Sequence, residues 1–201
     1  MVMTCAVGGT LGIGLGCGSG KTTTPPSIGS FSPLQAPVGN DLIITGAGFT
    51  GTTAVSINGL AVSAFTVNTD AQITAFIPLA ASSGAITVVN AGGTSTTNAS
   101  FFVMPSITSL STGNDPSGLT MSTGQTVTLA GAGFIGATAV SFAGPASAPA
   151  SYPATSVNVA SANQMTVTVP TAPAGTGYLL QVTVPGSPNP NTASSPAFTI
   201  Q

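Results

Sequence analysis

A stretch of this chain occurs twice, and that recurrence limits the fold more than any other feature of the sequence. Ile44–Gly59 reads ITGAGFTGTTAVSING, and Leu129–Gly144 reads LAGAGFIGATAVSFAG. Gly46, Ala47, Gly48, Phe49, Gly51, Thr53, Ala54, Val55, Ser56 and Gly59 return as Gly131, Ala132, Gly133, Phe134, Gly136, Thr138, Ala139, Val140, Ser141 and Gly144, each pair 85 positions apart. That period is too long for a solenoid unit and suits a small all-β domain. An apolar strand ends at Gly46, and glycines then allow backbone angles closed to other residues. Phe49 supplies a large apolar anchor. Val55 and Ile57 alternate with Ser56, as on a half-buried strand.

At 201 residues the chain holds two domains of ordinary size, and 42% hydrophobic residues suffice for two cores. Charge is the unusual feature. There is one Lys, no Arg, Glu or His, and three Asp (Asp41, Asp70, Asp115). Solubility rests on Thr, Ser, Asn and Gln. Low charge with many β-branched residues is not the composition of a disordered chain, and it fits an extracellular β-protein. Nucleic acid is excluded as a partner, because non-specific affinity needs Lys and Arg against phosphates. A polybasic membrane patch is excluded on the same ground.

Residues 1–25 differ from the rest. Met1–Gly16 is apolar and Gly-rich, too short for a membrane span of ~20 residues. It resembles the hydrophobic part of a secretory signal without the usual basic start. Cys17 follows Gly14, Leu15 and Gly16, which resembles the bacterial lipoprotein signal, although the family's Leu three places before Cys is Gly14 here. An ordinary cleaved leader is the alternative. GSGKTTTPP then reads as a flexible tether. Both cysteines, Cys5 and Cys17, lie in this leader, so the folded part has no disulfide. Gly16–Thr22 superficially suggests a phosphate loop, but the motif's first Gly would fall on Leu15, with no strand before it and no helix after.

Turn signals divide the remainder into short strands. Ser27–Ser32, Leu42–Thr45, Val55–Ile57, Val62–Val67, Gln72–Ile77, Ala85–Asn90 and Ala99–Val103 make a first domain over residues 26–104. Asn58-Gly59 is a two-residue hairpin signal. The order repeats over residues 105–201 with insertions at Asn114–Leu119, Pro145–Ala154 and Gly186–Pro190.

These residues resemble the IPT/TIG family of immunoglobulin-like domains. Its pattern is met by Pro26/Ile28, Gly39, Leu42/Ile44/Gly46, Phe49, Val55/Ile57, Ile77/Pro78 and Gly84/Val88. The second copy matches at Pro105/Ile107, Gly124, Val127/Leu129/Gly131, Phe134, Val140/Phe142 and Val169/Pro170. The resemblance implies an all-β fold of two tandem β-sandwiches of the E-set type, with no catalytic residues and no cofactor. Its members serve in surface receptors, in transcription factors and as spacers in bacterial surface proteins and polysaccharide-acting enzymes. The missing basic residues set the transcription-factor branch aside.

The chemistry of the residues agrees. Without His, Glu or a mature Cys, no ordinary nucleophile–base pair can be assembled. The three Asp are scattered and read as turn formers, not as a metal set. Asn98-Ala99-Ser100 is a glycosylation sequon of a kind that chance supplies in such a composition. Two features point to a binding surface. Tyr152, in the Pro-rich insertion, and Tyr178 are candidates for stacking on a sugar or a partner, with covering a sheet edge as the plainer role. Ile43 and Phe76 fall on the outward phase of their strands, where the second copy has Thr128 and Thr168.

The expected function is a non-catalytic bacterial surface or secreted protein that binds, adheres or spaces. The alternative is a carbohydrate-contacting accessory module of a polysaccharide-acting system. The expected partner is a protein or glycan at the cell surface, with the membrane touched only through a lipid at Cys17. If Cys17 carries lipid, the protein partitions into detergent and Cys17→Ser moves it to the aqueous phase; partitioning unchanged by the substitution would exclude the anchor.

Overall fold

The computed structural model describes residues 23–113, 115, 119–184 and 191–201. Residues 1–22, where a leader with Cys5 and Cys17 is expected, lie outside the described residues, as do most of the Asn114–Leu119 insertion and all of Gly186–Pro190. No helix occurs among the described residues.

The first unit runs β1 (Ser27–Ser32), β2 (Gln35–Pro37), β3 (Asp41–Ala47), β4 (Thr52–Ile57), β5 (Leu60–Ala61), β6 (Phe65–Thr69), β7 (Gln72–Phe76), β8 (Gly84–Asn90) and β9 (Gly93–Met104). The sheet β1-β3-β7-β6 faces the sheet β2-β9-β8-β4-β5. The second unit runs β10 (Ser106–Thr112), β11 (Thr120–Met121), β12 (Thr126–Ala132), β13 (Ala139–Ala143), β14 (Ser151–Pro153), β15 (Val157–Val159), β16 (Gln164–Thr168), β17 (Gly175–Val184), β18 (Asn191–Ser194) and β19 (Phe198–Ile200). Its sheets are β10-β12-β16-β15 and β11-β19-β17-β13-β14, with β18 beside β17. Strands pair antiparallel except for β2 with β9 and β11 with β19, which run parallel. Each unit encloses its own core, one around Leu42, Ile44, Phe49, Ile73 and Ile86, the other around Leu129, Phe134, Phe142, Met165 and Leu180.

The repeated stretch forms the same joint in both units. A Cβ on Gly46 would collide with the Ser27 carbonyl oxygen and lie 2.7 Å from Phe49 Cζ. A Cβ on Gly131 would collide with the Ser106 carbonyl oxygen and lie 2.6 Å from Phe134 Cζ. The first strand thus crosses on one side of a bare backbone, and the phenyl ring packs on it. Both rings are fully buried. Gly48 and Gly133 then turn the chain with φ of 70° and 72°, a region that costs other L-residues steric strain.

The turn after this glycine is held differently in the two units. In the first, the Asp70 carboxylate accepts from the Gly48 N–H (3.1 Å) and the Thr50 N–H (3.0 Å), while the Phe49 N–H donates to the Asp70 carbonyl (2.9 Å). Hydrogen bonds from Thr50 first, then from Gly48, hold this carboxyl below the usual aspartate range. In the second unit Phe134 N–H donates to the carbonyl of Ala162, which brings no carboxylate.

Several strands depart from the sequence expectation. Val62–Val67 is not one strand. The chain leaves the β4 sheet after β5 and joins the β7 sheet at β6, and between them Val62 turns inward with its N–H on the Val55 carbonyl (2.8 Å). β2 was hidden by its three-residue length behind Pro33. β9 begins at Gly93, not Ala99; its first half is exposed or half-buried Thr, Ser and Asn, which present no apolar phase in the sequence. The Pro145–Ala154 insertion contains β14, which pairs Tyr152 with Phe142. Asn58 and Gly59 form the expected tight hairpin, with φ of 47° and 78°. A hydroxyl takes a backbone N–H late in each unit: Thr97 Oγ1 accepts from the Ile86 N–H (3.0 Å) and Ser195 Oγ from the Leu180 N–H (2.9 Å).

Phe49→Ala and Phe134→Ala are each expected to cost about 3–5 kcal/mol in the unit that holds them, measured by denaturant unfolding. Asp70 gives a pH signature. Its folded pKa lies below the unfolded value of about 3.9, so its contribution is full at neutral pH and is lost as the pH falls through that value toward the folded one. The difference in unfolding midpoint between the native protein and Asp70→Asn should be constant above about pH 5 and close on acidification. A difference independent of pH would show that the carboxylate charge is not what holds the turn.

Candidate functional site

The outer face of the sheet β1-β3-β7-β6 carries the most distinctive exposed side chains. Inward, Leu42, Ile44, Ile73 and Ala75 are fully buried; outward, Ile43 is 41% and Phe76 43% exposed. Across the β3–β7 pair Ile43 stands opposite Thr74, and Phe76 opposite Asp41. Ile43 and Phe76 are therefore diagonal neighbours, one rung apart and not directly abreast, at a separation aromatic side chains can bridge. Beside them Asn68 Nδ2 donates to Thr74 Oγ1 (2.8 Å) and Gln72 Oε1 (3.1 Å), so the face continues as hydroxyls and amides. The equivalent face of the second unit pairs Thr126 with Thr168 and Thr128 with Thr166, and Thr168 shares a 2.7 Å hydrogen bond with Ser156. The fold does not require apolar residues there.

The two tyrosines come together, but inside the second unit. Tyr178 is 3% exposed, and its hydroxyl donates to the Pro173 carbonyl at 2.7 Å. Its ring stacks on Phe198 at 6.2 Å and tilts against Tyr152 at 6.3 Å, while Phe198 meets Phe142 edge-on at 5.8 Å. Burial pushes the Tyr178 hydroxyl above the ordinary phenol range, with Tyr152 adding to it. Tyr178 has no open ring face for a ligand, and half-buried Tyr152 packs on the same core. The pairing of β14 with β13 is what folds Tyr152 inward.

Two clefts lie elsewhere on the first unit. One of about 430 Å³ is bounded by Thr23, Thr24, Gly48, Thr50 and Asp70. The other, about 370 Å³, lies between the edges of β1 and β9, with Phe31, Leu34, Thr96 and Asn98 in its walls. Neither gathers reactive groups. Among the described residues no group of three or more His, Cys, Asp or Glu could hold a metal ion. No helix among them is long and apolar enough to cross a membrane.

Sequence reasoning missed Asn90, a buried polar side chain at the end of β8, and the reach of Asp70. The available signal was a difference between the copies, since Val184 and Ala162 occupy these places in the second unit.

Comparison with known proteins sets these observations in a family. No curated protein sequence matches the chain. Among solved structures it is similar to the surface glycan-binding protein PbSGBP-B from Prevotella bryantii, at 16% identity and a TM-score of 0.48, over 87% of this chain and 42% of that one. It is similar to SGBP-B from a complex xyloglucan utilization locus in Bacteroides uniformis, at 22% identity and a TM-score of 0.37, over 86% of this chain and 49% of that one. A further structure, titled as holding a xylogluco-oligosaccharide, is 23% identical with a TM-score of 0.48, over 86% of this chain and 40% of that one. The chain spans less than half the length of each, and the likeness is one of fold. The family described as IPT/TIG domain matches twice, over residues 26–103 and 105–200, and with nearly all of residues 26–201 so matched, the chain belongs to the IPT/TIG family.

Proposed function

We propose that this protein is a non-catalytic surface module whose two immunoglobulin-like units hold a binding face at a set distance from the cell. The observation that carries the reading is the joint between the units. β9 ends at Met104 and β10 begins at Ser106, so Pro105 alone connects them. A Cβ on Gly133 would lie 2.9 Å from the Met104 carbonyl oxygen and 3.1 Å from Pro105 Cα, so the joint sits tightly on the turn of the second unit. A short joint seated this way suits a spacer, because little freedom remains between the parts. Location at the cell surface, with a lipid at Cys17, completes the reading.

The face of Ile43 and Phe76 is the part offered to a partner, in the first instance a protein. A glycan is the second reading. An exposed ring beside the Asn68, Gln72 and Thr74 amides and hydroxyl is chemistry that also suits a neutral sugar chain.

Inserting Gly-Ser-Gly after Pro105 should broaden the distribution of inter-domain distances in small-angle scattering; an unchanged distribution would remove the spacer role. Ile43→Thr with Phe76→Thr should leave both units folded and weaken protein association, read by sedimentation. A glycan screen of the same pair separates the two readings, since retention lost in the double variant supports the sugar. Association and retention both unaffected would leave the face without a role.

A further inference from the structure

The residues just ahead of β1 were expected to belong to a flexible tether, yet they are held against the first unit. Asn90 is 5% exposed, and its side chain is fully engaged. Nδ2 donates to the carbonyls of Thr24 (2.9 Å) and Gly48 (2.8 Å). Oδ1 accepts from the N–H groups of Gly92 (2.8 Å) and Gly93 (3.1 Å). Both donor positions and both acceptor positions of the amide are used. One side chain therefore ties together the entering chain, the Gly48 turn and the β8–β9 hairpin.

Small residues make room for the entering chain. A Cβ on Gly92 would collide with the Thr23 carbonyl oxygen and lie 2.8 Å from Pro25 N. A Cβ on Gly48 would lie 2.7 Å from the Pro25 carbonyl oxygen, and one on Gly93 3.4 Å from Pro25 Cβ. Gly92 is not among the glycines with positive φ, so its own conformation tolerates a side chain. The passing strap of residues 23–25 is what excludes one.

The second unit has no such arrangement. Val55 pairs with Val88 and Val140 with Val182, which places Val184 where Asn90 stands. Its entering segment is the end of β9, already held by ladder bonds to β8 and β2. A clasp there would have nothing to fasten.

We propose that Asn90 is a clasp that fixes residues 23–25 as a strap across the glycine-rich end of the first unit, so that Thr23 is held at one point on its surface. Release would strand a buried amide and uncover three glycine backbones, so the strap stays closed in the folded domain. The clasp does not depend on what the protein binds. It gives the first unit an entry as fixed as the Pro105 joint gives the second.

The test is backbone ¹⁵N relaxation on the full chain, comparing the native protein with Asn90→Val and Gly92→Ala. Asn90→Val installs the second unit's own residue, and Gly92→Ala blocks the strap while leaving the Asn90 side chain in place. In the native protein the Thr24 amide should show an order parameter near 0.85, like a strand; in both variants it should fall below about 0.6 while Val88 stays rigid. Should Asn90→Val unfold the first unit, Gly92→Ala decides alone. A mobile Thr24 in the native protein, or a rigid one in any folded variant, overturns the proposal.

Discussion

Each unit depends on one close contact, the passage of its first strand over a glycine with a phenyl ring packed beside it. Ser27 crosses Gly46 beside Phe49, and Ser106 crosses Gly131 beside Phe134. The contact sets how near β1 comes to β3, and so where the opposite sheet can meet the ring. A methyl group would separate strand and ring together, because both lean on the same missing side chain. This is why the stretch recurs with its glycines and Phe intact while strands around it vary. The chain can exchange Leu42 for Val127, or Ile57 for Phe142, since cores accept apolar residues of similar size. It cannot exchange a backbone approach for anything larger.

The sequence made much of this readable, for a physical reason. Strands with one buried face announce themselves by alternation, and Leu42/Ile44, Ile73/Ala75/Ile77 and Met165/Val167/Val169 did so. The outward phase of Ile43 and Phe76 followed from the same period. What stayed hidden lacked that signature. The first half of β9 is polar on both faces, β2 is held by its register with β9, and β14 borrows its place from β13. Tyr152 and Tyr178 show the limit most plainly. A Tyr in a Pro-rich insertion looks like an exposed ring, and only the pairing of Ser151–Pro153 with Ser141–Ala143 turns it inward.

The differences between the copies mark what belongs to position and not to the fold. Asp70 and Asn90 have apolar counterparts in Ala162 and Val184, and both act at the end of the first unit where the chain enters. Ile43 and Phe76 have Thr128 and Thr168 opposite them in the repeat. Two units of one family thus share the plan of their cores and differ at these positions, the first carrying exposed Ile43 and Phe76 and the hydrogen-bonded Asn90.

The parallel pairing of β2 with β9 and of β11 with β19 matters once the chain is pulled. Each such pair joins the beginning of a unit to its end. Tension applied between the two ends drags paired strands past one another along their length, so the bonds between them share the force and must yield together. An antiparallel hairpin pulled at its open end would instead unzip one bond at a time. With Pro105 the single residue between units, a pull on one reaches the next with almost no slack.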